Sequence, residues 1–313
     1  MQGRPAIAIA LAAQALLVFA APPSPERKAI EYLAREVPRW SRENHCFSCH
    51  NNGDGARALQ IAIQRGYAVP DIALLDTTRW LLKPGDWDNN GGNSPLNDKK
   101  LARIQFAAAL AQGYKVGLIP DRRALIQAAE SLLPYQEKDG RWSVDASAQA
   151  GSPATYGTAL ATYMARRALE TADAEQFLQQ IARANDWLLS MKPRSIVDAA
   201  AKLLAFPQHA NTKRECLDLL LRAQTSDGGW GAFPLAPGEP FDTAIALIAL
   251  QRLYDPQQTL RAIARGRAYL VALQQPDGGW PETTRPPGQQ SYAQHISTSS
   301  WATIALLLSD PKR

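Results

Sequence analysis

The stretch Gln274-Gln-Pro-Asp-Gly-Gly-Trp280 recurs along this chain and points to its architecture. A second copy reads Gln224-Thr-Ser-Asp-Gly-Gly-Trp230, and an altered third copy reads Gln136-Glu-Lys-Asp-Gly-Arg-Trp142. In each copy, Asp-Gly favours a turn with positive φ, the Gln can satisfy backbone groups at a helix end, and the Trp can bury a large surface. Each copy lies between two helical patterns. Repetition of such a helix–turn–helix unit predicts an array of helical hairpins.

Two kinds of helical pattern alternate in this array. In the fifth pair, the first helix carries a polar stripe of Arg214, Asp218 and Arg222, whereas its partner, residues 244–250, is apolar all round. A stripe indicates an outer helix, and an all-apolar helix indicates an inner one. Six such pairs predict an all-α fold in which six helical hairpins close into an α6/α6 toroid, with an open superhelix as the alternative.

Composition and charge restrict the classes of partner. The chain has 313 residues, of which 46% are hydrophobic, enough for a substantial core. The net charge is +5, and the basic residues are spread through the helical segments. A nucleic-acid partner is therefore not expected, because such a surface needs clustered positive charge.

The first residues have the pattern of a secretory signal peptide. Arg4 precedes an uncharged run, residues 6–21, that ends in the small-residue pattern Val18-Phe-Ala20. We therefore expect residues 1–21 to be a signal peptide, residues 22–313 to form a single toroid domain, and the protein to be periplasmic or secreted. The run is short for a membrane span, so no span is expected after cleavage; an uncleaved anchor is the alternative.

The repeats resemble those of a known family. Together with Phe241-Asp-Thr-Ala-Ile-Ala-Leu and Ser297-Thr-Ser-Ser-Trp-Ala-Thr, they are similar to the repeats of squalene–hopene cyclases and related terpenoid cyclases, which share an α-α toroid with protein prenyltransferases. The three turns cover residues 136–309, and weaker units extend to residue 26. The resemblance implies the toroid fold. It also implies cyclase-type chemistry on an apolar small molecule, but less specifically, because one fold hosts many chemistries.

The catalytic acid of class II members of that family has no direct match. Those enzymes use an Asp-x-Asp-Asp string, and the nearest approach here is Asp86-Trp-Asp88-Asn89, in which the last carboxylate is replaced by an amide. An acid that protonates an alkene needs neighbouring groups that tune its pKa. Asp86 and Asp88 are therefore the candidate catalytic residues of a cyclase with an unfamiliar acid.

The motif Cys46-Phe-Ser-Cys49-His50 is the sharpest local signal. Two thiols at this spacing can form thioethers with haem vinyl groups, and the adjacent His can bind the iron. The motif lies in a predicted turn, residues 38–55, and a closed ring would bring the sixth turn, which contains His295, beside it. These residues predict a covalent haem c with His50 and His295 as iron ligands and with a redox partner protein. A local disulfide or a pair of buried thiols is the alternative.

The Gly- and Asn-rich segment at residues 84–95 is interpreted as a plain loop, with a calcium-binding loop as the alternative. Asp86, Asp88 and Asn90 alternate before Gly91, as oxygen ligands do at the start of a calcium-binding loop. The twelfth position is Asn97 rather than a bidentate Glu.

Three functions follow from these features. The leading one is a secreted cyclase-like toroid with a covalent haem and a redox or electron-transfer role, acting on an apolar ligand in the central cavity. The second is a non-redox terpenoid cyclase or isomerase. The third is a binding module in which the two cysteines are only structural. Glycan-degrading enzymes also use α6/α6 barrels, but the turn motif favours the cyclase relatives.

Overall fold

A computed structural model of the protein describes residues 23–91, 99–144, 151–253, 256–283 and 291–311. The predicted signal peptide lies outside these residues and stays a prediction. Within the described part the chain is helical and contains no strand, which confirms the all-α class. None of the helices in that part combines the length and apolarity needed to cross a membrane.

Twelve α-helices form the described fold. They are α1 (Pro25–Asn44), α2 (Ala56–Gln64), α3 (Leu75–Leu81), α4 (Lys99–Lys115), α5 (Arg122–Glu130), α6 (Thr158–Asp173), α7 (Leu178–Ser190), α8 (Ile196–Ala205), α9 (Ala210–Ala223), α10 (Pro240–Leu250), α11 (Pro256–Leu273) and α12 (Tyr292–Leu308). A π-helix, Cys49–Gly55, runs directly into α2. Short 3-10 turns occur at Asp71–Ala73, Pro84–Asn89 and Leu133–Tyr135.

The even-numbered helices form a closed inner ring. Each contacts the next even-numbered helix, and α12 contacts α2, so the ring closes on itself. The odd-numbered helices pack outside the ring: α1, α3, α5, α7 and α11 contact the inner helix that follows them, and α9 contacts α8, the inner helix before it. The predicted α6/α6 toroid is confirmed, and the open superhelix is wrong. Every residue of α10 is buried, whereas Arg214, Asp218 and Arg222 on α9 are exposed, as the two helical patterns predict.

The glutamine of the repeated turn links successive hairpins. The Nε2 of Gln224 donates to the carbonyl of Gly228 in its own turn and to the carbonyl of Ala262 in the next outer helix, both at 2.9 Å. Gln274 donates in the same way to the carbonyl of Pro25 in α1, at 2.9 Å. The bond that joins hairpins along the chain therefore also joins the last hairpin to the first.

The tryptophan of the turn fixes its outer helix against its inner helix. The indole N–H of Trp230 donates to the carbonyl of Leu220 at 2.7 Å, and its backbone N–H donates to Thr243 Oγ1 at 2.9 Å. Trp280 makes the equivalent indole bond to the carbonyl of Leu270, at 2.7 Å. These indoles are completely buried, so the repeated tryptophans are structural.

The segment between α1 and α2 differs from the polar turn expected at residues 38–55. Helix α1 continues through Pro38 as far as Asn44, and a π-helix follows after four residues. The Ser48 side chain accepts hydrogen bonds from the first backbone amides of that π-helix. The amide nitrogens of Asn51 and Asn52 donate to carbonyls of α1, at 2.9 and 3.3 Å. These bonds hold the Cys-x-x-Cys-His segment against α1 and direct its last turn into the ring.

Candidate functional site

A buried carboxyl group, that of Asp54 in the π-helix, lies inside the ring. Its Oδ2 accepts hydrogen bonds from Gln105 Nε2 at 2.9 Å and from Ser297 Oγ at 2.8 Å, and its Oδ1 accepts one from the hydroxyl of Tyr156. Gln105 belongs to α4, Ser297 to α12, and Tyr156 lies just before α6. Asp54 is only 1% exposed. Closure of the ring thus surrounds one carboxyl group with donors from distant parts of the sequence.

His50 extends this cluster towards the end of the ring at which the repeated turns lie. Its Nδ1 is 2.9 Å from Ser297 Oγ. When Asp54 is ionised, Ser297 donates its hydroxyl proton to the carboxylate, and the Nδ1–H tautomer of His50 can then donate to Ser297. The imidazole is partly exposed, whereas Asp54 is fully enclosed. His50, Ser297 and Asp54 therefore form a hydrogen-bonded chain from the edge of the ring to its interior.

Burial shifts the pKa values of the cluster. Burial raises the pKa of the Asp54 carboxyl, while the positive charge of Arg57 and the three hydrogen-bond donors act in the opposite direction. Burial raises the pKa of the Tyr156 hydroxyl well above its ordinary value. Burial also lowers the pKa of His50 to about 4. At neutral pH the imidazole and the phenol are therefore uncharged, and Asp54 is the group of the cluster whose acid form burial favours.

Arg57 lies beside the Asp54 cluster, one helical turn further along. It is 6% exposed, and its guanidinium carbon lies 4.1 Å from the ring centroid of Trp301. Nη1 donates to the sulfur of Met164 at 3.3 Å, whereas Nε and Nη2 have no hydrogen-bond partner among the described residues. Sulfur is a weak acceptor, so the position of this side chain depends on the cation–π contact and on the charge of Asp54.

A cavity of about 270 Å³ adjoins Arg57 and opens at the C-terminal ends of the inner helices. This volume is at the lower limit of the roughly 300–1,000 Å³ typical of ligand pockets. Its apolar wall includes Tyr163, Met164, Leu204, Ile248, Trp301 and Ile304. Arg57 forms part of the wall and Asp54 does not, so Arg57 stands between the cavity and the buried carboxyl group.

The predicted iron ligands do not share a site. His50 binds Ser297 inside the ring, whereas His295, in the first turn of α12, packs edge-on against Tyr32 with ring centroids 5.9 Å apart. Cys49 is buried and Cys46 is partly buried, and no disulfide joins them.

The haem c prediction is wrong, because the imidazole that would bind iron serves the Asp54 cluster. The described residues contain no group of three or more His, Cys, Asp or Glu side chains that could hold a metal ion. The predicted redox partner protein loses its basis with the haem.

The 3-10 turn Pro84–Asn89 does not form the predicted calcium loop. Asp88 pairs with Arg103, and the Asn90 side chain accepts from the backbone N–H of Phe47 at 2.8 Å and donates to its carbonyl at 2.7 Å. Their oxygens are thus engaged elsewhere, and Asn97 lies outside the described residues. Asp86 and Asp88 are exposed, and neither lines the central cavity or touches the Asp54 cluster.

The sequence did contain a signal for the site that was missed. Asp54 and Arg57 are charged residues at the start of an inner helix, where the pattern otherwise calls for apolar side chains. A buried charge is retained only where other groups pair with it or hydrogen-bond to it. Gln105 and Ser297 are polar interruptions of the same kind on other inner helices. Polar residues within the apolar inner helices are therefore the sequence feature that indicates the site.

The pH dependence of stability gives a test of the His50 environment. The pKa of His50 is lowered from 6.5 to about 4, so the unfolded chain binds a proton between these values that the folded chain does not. His50 is thus expected to contribute stability that is complete above pH 6.5 and is lost as pH falls towards 4. The urea midpoint of the His50→Gln variant should fall less between pH 7 and pH 4.5 than that of wild type. Both proteins keep Asp54, whose raised pKa acts in the opposite direction, and parallel falls would contradict the assignment.

The sequence is similar to two drimenyl diphosphate synthases, and no protein-family model matches it. It is 30% identical to the Streptomyces showdoensis synthase over 178 residues, which cover 51% of this chain and 33% of the synthase. It is 44% identical to the Streptantibioticus cattleyicolor synthase over 69 residues, which cover 22% of this chain and 12% of the synthase. The matches therefore span a third or less of the length of these relatives.

The fold is similar to solved structures of terpene cyclases. The type II terpene cyclase MstE from Scytonema, in complex with geranylgeranyl dihydroxybenzoate, matches with a TM-score of 0.56 and 15% identity, over 92% of this chain and 98% of MstE. The ent-copalyl diphosphate synthase from Streptomyces platensis matches with a TM-score of 0.55 and 20% identity, over 83% of this chain and 50% of the synthase. At these identities the likeness is one of fold.

Proposed function

We propose that this chain, which has the α-α toroid fold of terpene cyclases and is similar in sequence to drimenyl diphosphate synthases, is an enzyme that protonates an apolar polyene in its central cavity. This is the non-redox alternative of the sequence analysis, with the acid moved from the exposed turn at residues 86–88 to the ring interior. Similarity to drimenyl diphosphate synthases and to type II terpene cyclases supports the class of reaction. The activity and the substrate are both part of the proposal.

The observation that carries the proposal is the buried carboxyl group of Asp54. Protonation of an alkene needs a carboxylic acid in a dry site that keeps its proton until the substrate arrives. Burial raises the pKa of Asp54, and Tyr156 can either donate to its carboxylate or accept from its acid form. The surroundings of Asp54 can therefore accommodate both the protonated and the ionised form of its carboxyl group, as a general acid requires.

Aromatic rings next to the cluster suit the carbocation that follows. Trp301 lies edge-to-face with Tyr156 and with Phe241, with centroids 5.6 and 6.0 Å apart. Proton transfer from Asp54 forms a C–H bond at one alkene carbon and leaves the positive charge on the other. A second double bond attacks that carbon, and loss of a proton to water ends the reaction. The product is an isomer of the substrate, and aromatic faces stabilise the cation on the way.

Arg57 has to move for this chemistry. Its guanidinium lies on the face of Trp301 and separates Asp54 from the cavity. A substrate that displaces it uncovers the indole and removes the positive charge that favours the Asp54 carboxylate. Such a displacement loses the cation–π contact and the attraction to the Asp54 carboxylate, so the bound substrate has to offset both.

The chain of His50 and Ser297 supplies a route by which Asp54 regains its proton. Ser297 can pass its proton to the Asp54 carboxylate and take the Nδ1 proton of His50, while the partly exposed imidazole gains another at Nε2. The proton then enters from the turn end of the ring, opposite the end at which the cavity opens.

Reaction in heavy water tests the proposal. Farnesyl and geranylgeranyl derivatives are incubated with the protein in D₂O, and the products are analysed by mass spectrometry. The expected product is a cyclic isomer that carries one deuterium on the carbon that was protonated. A cyclic product without deuterium would contradict proton initiation, and recovery of the unchanged substrates would contradict the proposed enzyme.

A ligand-binding protein without turnover is the second candidate. The position of Arg57 favours it, because a guanidinium between cavity and carboxyl group protects a bound polyene from the acid. Saturable binding of the same compounds without any product would identify this function.

We also propose, from the leader pattern at residues 1–21 alone, that the protein is periplasmic or secreted.

A further inference from the structure

Lys115 places an amine at the opening of an apolar cavity. It is the last residue of α4, and its side chain forms part of the same cavity wall as Met164, Trp301 and Leu308. The residue is exposed, so its amine is open to reagents that enter the cavity from solvent. The proposed cyclisation does not use this amine.

The surroundings of Lys115 favour its uncharged form. The pKa of its amine is lowered to about 8, first by burial and then by the charges of Arg167 and Arg252, while Glu170 acts in the opposite direction. Glu170 also pairs with Arg167, with Oε2 and Nη1 3.5 Å apart. A helix C-terminus on its own would stabilise a cation. The uncharged amine is therefore favoured by the cavity and its cations, against the field of its own helix.

The other groups around the cavity do not supply a compensating negative charge. Among the described residues of its wall, none carries a carboxylate. Besides Arg167 and Arg252, the titratable groups of the wall are Arg57 from α2 and Tyr163 from α6, whereas α8 and α12 contribute apolar side chains. An apolar recess and neighbouring cations are the two conditions that turn a lysine into a nucleophile. At pH 7 about a tenth of the Lys115 amines are uncharged, against fewer than about one in a thousand at the usual lysine pKa of 10.5.

We propose that Lys115 binds apolar aldehydes covalently, as an imine, with the hydrocarbon chain of the aldehyde in the cavity. The lone pair of the uncharged amine forms a bond to the aldehyde carbon, and the carbonyl oxygen takes up both amine protons and leaves as water. The step needs no oxidant and no reductant. It uses the cavity of the proposed function but not Asp54, so it does not depend on cyclisation.

Reductive trapping with farnesal tests the proposal. Farnesal is incubated with the full chain, the imine is reduced with borohydride, and the modified lysines are located by peptide mass spectrometry. At pH 7 Lys115 should be labelled about ten- to a hundredfold faster than Lys192, which is exposed and does not line the cavity. Farnesol has no aldehyde group, so it should protect Lys115 by occupying the cavity and leave Lys192 unaffected.

The pH dependence of labelling tests the cause of the reactivity. The rate at Lys115 should rise with pH and level off above about pH 8, where the amine has lost its proton. Arg252→Gln removes a neighbouring positive charge, so the midpoint should move to higher pH and labelling at pH 7 should fall about two- to tenfold. Glu170→Gln removes the opposing negative charge and should move the midpoint to lower pH.

Lys115→Arg is the matched control at the site itself. It keeps a positive charge at the end of α4 but has no nucleophilic amine, so labelling at this position should disappear while labelling of Lys192 continues.

The proposal is overturned if farnesal labels Lys115 no faster than Lys192 at pH 7, if farnesol gives no protection, or if Arg252→Gln and Glu170→Gln move the midpoint in the same direction. Failure of the proposed function looks different. In that case farnesal still labels Lys115, and no cyclic isomer forms from the polyene substrates in D₂O.

Discussion

Replacing Asp54 by Asn is expected to reduce turnover about 10²–10⁴-fold, the contribution that a positioned general acid makes. Asn has nearly the same shape and still accepts hydrogen bonds through Oδ1, but it has no acidic proton. Asp54 bonds to Gln105, Ser297 and Tyr156, so the variant should keep much of this network and fold. Steady-state rates and near-UV circular dichroism measure the two properties separately.

Asp86→Asn and Asp88→Asn are the matched controls for this result. Both aspartates are exposed on the 3-10 turn Pro84–Asn89, and neither lines the central cavity. Their variants should retain wild-type rates. Loss of activity in either of them, together with normal turnover in Asp54→Asn, would return the acid to the position that the sequence pattern first suggested.

The fold could be predicted because its determinants are local and repeated. The turns at Trp142, Trp230 and Trp280 each specify one helix–turn–helix unit, and the inner helices differ from the outer ones in hydrophobic pattern. Closure of the ring was predicted from the number of helical hairpins, which is six. No sequence pattern marks Pro25 as the partner of Gln274. The bond forms because Gln274 donates to the neighbouring outer helix in the same way as Gln224 does.

The sequence shows the polar residues of the site but not that they meet, because they are distant along the chain. Asp54, Gln105 and Ser297 meet only after α2, α4 and α12 have joined the inner ring, and each looks like an isolated polar residue along the chain. His50, by contrast, stood in a motif with a strong local meaning. The haem prediction used the residues of that motif without the partner that the fold gives its histidine. That partner is Ser297, near the other end of the chain.

The closed ring depends on the junction between the last turn and α1, and substitution of Gly278 tests that junction. Gly278 has a φ of 102°, and an added Cβ would overlap the carbonyl oxygen of Lys28 in α1. Gly117 has a φ of 75°, but a Cβ there would meet nothing within 4 Å. Gly117→Ala should therefore lower the free energy of unfolding by about 1–2 kcal/mol through backbone strain alone.

Gly278→Ala adds the overlap to the strain, and overpacking costs about 1–3 kcal/mol, so a total loss of about 2–5 kcal/mol is expected from urea unfolding. Gly228→Ala is the internal counterpart, because its Cβ would overlap the carbonyl oxygen of Arg265 in α11. Similar losses at Gly278 and Gly228 would mean that the closing junction is packed as tightly as the junctions along the chain. A loss at Gly278 no larger than that at Gly117 would mean that the ring can open there, and the partners of Asp54 from α12 would then not be held in place.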